Sequence, residues 1–114
     1  MRAHLSDVDA RALTGEVAAE LHASMLAGLE PGVDGWVDDD YAFLSPWGFD
    51  VGAIRVPVLV WQGDQDLMVP AAHGRWLREH VAGAEGEVLE GEGHITLVVN
   101  RVDDVHAWLA ERLG

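Results

Sequence analysis

A chain of 114 residues holds at most one domain and is short for an α/β enzyme. Twenty acidic against seven basic side chains give a formal charge of −13, which argues against nucleic acid or an anionic membrane surface as partner. Cysteine is absent, so disulfides and thiolate metal sites are excluded, while 49% hydrophobic and 24% charged residues are the balance of a folded, soluble chain.

The start, MRAHLSDVDARAL, has no apolar core of a signal peptide, and no apolar run reaches membrane-spanning length, so a cytoplasmic address is expected. All seven basic residues are arginine. With the wealth of Ala, Gly and Val this suggests a GC-rich gene, in which translation starts are easily misassigned and Met1 need not be the natural beginning.

Ser6 and Asp9 form an S-x-x-D capping signature ahead of a periodic stretch. Val8, Leu13, Val17, Leu21, Met25 and Leu29 fall near one helical face, opposite Arg11, Glu16 and Glu20, and Glu30-Pro31-Gly32 stops the pattern. One amphipathic helix is predicted over about 7–29, weakened by Gly15 but not broken. Residues 32–52 read as a loop, with Trp36, Tyr41, Phe43, Trp47 and Phe49 placed to line a pocket or pin a lid.

Ile54 to Trp61 is nearly unbroken apolar sequence, patterned for a central parallel strand covered on both faces. Pro70 is placed as the first residue of a helix to about Val81, with Trp76, Leu77 and Val81 inward and Gly83 as its stop. Glu87 to Leu89 reads as a second, shorter strand. Asn100 is expected to cap a last helix, with Asp103 and Asp104 in its first turn and Val102, Val105, Leu109 and Leu113 on its buried face. The order strand, helix, strand, helix implies an α/β sheet.

Three pieces carry a family resemblance: VPVLVWQGDQDLMVP (56–70), GEGHITL (91–97) and GWVDDDYAFLSPWGFD (35–50). Together they resemble the carboxyl-terminal part of α/β-hydrolase superfamily proteins, of the lid-bearing, esterase- and aminopeptidase-like kind. The first is similar to a penultimate strand with its acid turn, the second to a histidine loop, the third to the tail of a lid. The resemblance implies a partial α/β-hydrolase fold, with 1–52 a lid-type helix and aromatic loop and 53–114 the carboxyl-terminal core segment. It places the catalytic acid on Asp66 and the base on His94, in the order nucleophile, acid, histidine. No G-x-S-x-G pentapeptide occurs in the 114 residues, so the nucleophile is missing.

The resemblance therefore implies a segment of a serine-type hydrolase of ester, amide or similar acyl substrates, inactive alone. The alternative is a non-catalytic, degenerate module acting through self-association or a partner protein. Triad hydrolysis needs no cofactor, and none is implied. Other candidates read as bland. His73 and His80 share a helix face without a third metal ligand. Asp38, Asp39 and Asp40 lack calcium-loop spacing. Ser45 is followed by Pro46, which leaves no amide there for an oxyanion hole, and Trp61, Trp76 and Trp108 read as core residues.

Overall fold

The computed structural model describes residues 5–113. Five α-helices dominate: α1 (Asp7–Ala12), α2 (Gly15–Leu29), α3 (Asp34–Leu44), α4 (Ala71–His80) and α5 (His94–Leu113). A 3-10 turn at Val51–Ala53 and two strands, β1 (Gln62–Gly63) and β2 (Val88–Leu89), complete the order. The strands pair in parallel, Gln62 with Val88 and Gly63 with Leu89.

This corrects the expected fold class. About 60% of the structure is helical and the sheet has only two short strands, so it is not the multi-stranded sheet of a partial α/β-hydrolase fold. The stretch predicted as a central strand is extended but hydrogen-bonded along one edge only. Val58 accepts from the Glu85 amide, Val60 donates to the Glu85 carbonyl, Gln62 donates to Glu87 and Asp64 to Leu89. The opposite edge, at Leu59 and Trp61, has no backbone partner among the described residues. A ladder with one neighbour and an isolated bridge at Leu59–Glu85 stays short.

Other boundaries also move. The predicted 7–29 helix is two helices: the chain leaves helical conformation at Leu13 (ψ 62°) and Thr14 (φ −137°, ψ 163°), and Gly15, at a left-handed φ of 56°, opens α2. The predicted 32–52 loop contains α3, with Ser45 as its C-cap and Asp38, Asp39 and Asp40 exposed on it. The last helix starts at His94, six residues before the expected cap, so Asp103 and Asp104 lie in its middle. Asn100 instead donates to both oxygens of Glu92, at 3.3 and 3.0 Å.

The apolar core is small. Val51 and Val81 are the buried hydrophobic side chains, and neither α2 nor α3 buries a residue. Trp76 is exposed rather than inward, as are Val102, Leu109 and Leu113, which were expected on a buried face. Trp61 and Trp108 are half-buried along an open groove of about 480 Å³ between the extended segment and α5. The Cα radius of gyration is 15.9 Å. A compact domain of this length would have about 13 Å. What is buried instead is polar: Ser6, Asp9, Gln62, Asp66, Glu92 and Thr96. Those residues surround one place, where the loops after β1 and β2 meet.

Candidate functional site

Asp66 lies in the loop after β1 and His94 opens the helix after β2, so the parallel pairing of two short strands brings their following loops together. Further bonds tie those loops. Gln65 donates to the Glu92 carbonyl at 2.9 Å, and the Gly91 amide donates to Asp64 Oδ1 at 2.8 Å. Residues 28 apart in sequence are thereby held side by side: Asp66 Oδ2 stands 3.0 Å from His94 Nδ1.

Every acceptor position of Asp66 is used. Oδ1 accepts from the Met68 and Val69 amides, both at 2.8 Å, the local turn that a short carboxylate makes with the backbone two and three residues on. Oδ2 accepts from Gln62 Nε2 at 2.8 Å as well as facing His94. Gln62 also donates to the Val69 carbonyl at 3.1 Å, which fixes the end of the acid loop to β1. Burial pushes the Asp66 carboxyl up. The Val69 amide, His94 and the Met68 amide outweigh that and hold it below the usual carboxylate range. An ionised, 2% exposed carboxylate selects the histidine tautomer with the proton on Nδ1.

His94 Nε2 has no hydrogen-bond partner among the described residues, and the side chain is 43% exposed. The pair thus presents an oriented imidazole whose free nitrogen faces outward from a buried acid. Chemically, such an arrangement is able to accept a proton at Nε2 while the carboxylate fixes the ring.

A second buried carboxylate holds the backbone of the same histidine. Asp9 accepts from the amides of His94 (2.9 Å), Ile95 (2.8 Å) and Thr96 (3.0 Å), the first three of α5. The Ser6 hydroxyl donates to Asp9 Oδ2 at 3.0 Å. Here too burial pushes the carboxyl up, and the Thr96, His94 and Ile95 amides with Ser6 outweigh it, holding Asp9 below the usual range. Thr96 Oγ1 accepts from the Gly93 amide at 2.6 Å, completing the cap of α5.

Asp66 and His94 are brought together as the sequence suggested. Ser45 is not part of this arrangement: its hydroxyl donates to the Tyr41 carbonyl at 2.8 Å on an exposed helix end. His73 and His80 are exposed on α4, His80 stacked on Trp76 at 4.0 Å between ring centroids. Among the described residues no cluster of three or more metal-ligand side chains occurs. Of the aromatics expected to line a pocket, all are exposed, but Trp36 borders an open hollow of about 730 Å³ at the α2–α3 turn, and Trp47 and Phe49, stacked at 5.8 Å, border one of about 300 Å³ with Trp76.

Gln62, Glu92 and the long-range role of Asp9 escaped the sequence reading. Gly93 offers no capping side chain, so no local helix-start signature marks His94 as the beginning of α5. No helix among the described residues is long and apolar enough to cross a membrane. No family model matches the chain, and no curated protein or solved structure shows detectable similarity to it.

Proposed function

We propose that Asp66 and His94 are the acid and the base of a serine-type hydrolytic site for ester, amide or similar acyl substrates, with nucleophile and oxyanion hole supplied by residues other than these 114. The observation that carries this reading is the 3.0 Å approach of His94 Nδ1 to a fully hydrogen-bonded, buried Asp66, with Nε2 left free at the surface. In the reaction His94 Nε2 takes the nucleophile's proton as it attacks the acyl carbon. Asp66 stabilises the imidazolium that forms, and His94 then returns the proton to the leaving group.

The test has two arms. The chain alone, incubated with a fluorophosphonate probe, is expected to remain unlabelled, since loss of a nucleophile costs about a million-fold in a serine protease. Co-expressed with the nucleophile-bearing half of a lid-type esterase, it is expected to support ester turnover that vanishes in His94→Ala and falls strongly in Asp66→Asn. Turnover unchanged in His94→Ala overturns the assignment.

A second reading draws on the exposed side chains of α2 and α3, where Leu26, Trp36, Tyr41 and Phe43 stand open. A surface this apolar marks a contact with another chain. On that reading the protein is a non-catalytic module acting through self-association or a partner, and the unlabelled chain stays inactive in every complementation.

A further inference from the structure

The amino end of α5 needs a cap that its own sequence does not supply. Gly93, the residue before the helix, has no side chain, yet the His94, Ile95 and Thr96 amides point out of the first turn and require acceptors. Asp9 meets all three from 85 to 87 residues away, and its side chain is 0% exposed. There is room for this carboxylate only because residue 93 is glycine: a Cβ there would collide with the Asp9 carboxylate. Ser6 holds the carboxylate from behind, so α1 is locked onto the start of α5.

One of these three bonds comes from the amide of His94 itself. Its ring is joined to Asp66 and its backbone to Asp9, so one carboxylate orients the imidazole and the other locates the residue that bears it. We propose that Asp9 is the positioning residue for His94, holding the base against Asp66 by capping the helix that starts there. Removing the carboxylate frees three amides at the first turn of α5 and lets that turn fray. The ring of His94 then leaves Asp66 and exchanges its single tautomer for a mixture. The α1 segment, remote in sequence from the acid and the base, becomes part of the same site.

The inference deepens the reading of His94 as a base and rests on it for its catalytic meaning. The test uses histidine ring nitrogen-15 spectra, which need neither nucleophile nor substrate, so its failure is distinct from failure of turnover in the complemented enzyme. The chain is labelled at histidine, and the His94 signals are assigned by their loss in His94→Gln. Wild type is expected to show the Nδ1–H tautomer. Asp9→Ala is expected to show an averaged pattern, restored by sodium formate, which fits the three vacated amides, and not by sodium chloride at equal ionic strength. Val81→Ala, a destabilising change in the small core, is the control and is expected to keep the wild-type pattern. Should Asp9→Ala not fold, Asp9→Asn carries the test: its amide oxygen still accepts while its NH2 opposes a backbone N–H, and the His94 pattern is expected to be disturbed in the folded protein. A wild-type His94 pattern in the folded Asp9 variant, or the same loss in Val81→Ala, overturns the proposal.

Discussion

Gln62 Nε2 donates at 2.8 Å to the Asp66 oxygen that also faces His94, and at 3.1 Å to the Val69 carbonyl. One amide therefore braces both ends of the acid loop from the strand below it. Gln62 and Asp66 are buried and Val69 is half-buried, so water replaces these bonds poorly. Gln62→Leu is expected to lower stability by about 1–3 kcal/mol, the cost of leaving buried acceptors unsatisfied. Urea unfolding followed by tryptophan fluorescence measures it, and an unchanged midpoint would show that the acid loop holds itself.

Gly93→Ala isolates the contact between α1 and α5. Residue 93 is not in the left-handed region, so alanine meets no backbone penalty there, and the nearest atoms to the added methyl are those of the Asp9 carboxylate. The single substitution is expected to cost about 1–3 kcal/mol, as overpacking does. In the background of Asp9→Ala the clash is gone, and the same substitution is expected to cost much less. A double-mutant cycle reads the difference as a coupling energy. Strict additivity would mean that the two residues do not compete for the same space.

Asp9 and Asp66 both titrate below the ordinary carboxylate value of about 3.9 when folded. Between that value and the lower folded ones the unfolded chain binds more protons, so stability rises with pH there. The contribution is complete above about pH 5 and is lost as pH falls through the folded values. The stability gap between wild type and Asp66→Asn, measured by urea titration at several pH values, is expected to be constant near neutrality. It should shrink steadily below about pH 4. A gap that widens on acidification would mean that the Asp66 carboxyl titrates higher in the folded chain than in the unfolded one.

The chain is expected to associate, with itself or with a partner. The edge at Leu59 and Trp61 carries backbone groups with no partner among the described residues, and Phe43 is 80% exposed at the end of α3. A two-stranded sheet is marginal in water, and an open edge invites another strand. The charge of −13 favours soluble assemblies over precipitation. Size exclusion with light scattering decides it: a monodisperse monomer with sharp near-ultraviolet tryptophan bands would show that these residues need no cover.

The sequence alone placed Asp66 in a loop that follows an extended segment, because Gly63, Asp64 and Pro70 around it dictate a turn, whereas His94, expected in a loop, opens α5. It also located α4 closely, from Pro70 before the helix and Gly83 after it. Those features are local, and the backbone near each residue settles them. The sequence could not decide that the apolar residues of 54–61 and of α5 cover one another only in part, along an open groove. A pattern states which side chains would be covered, whereas covering them takes a neighbour that only the tertiary structure can show. Nor could it show that Asp9 serves α5. Ser6 and Asp9 read as a local cap for α1, and Ser6 does cap it at the Asp9 amide (3.4 Å). The Asp9 carboxylate is left free to turn outward, and which helix end it meets 85 residues later depends on where α1 packs. The turn around Asp66 is written locally, while the contact of Asp9 with the first turn of α5 exists only in the folded chain.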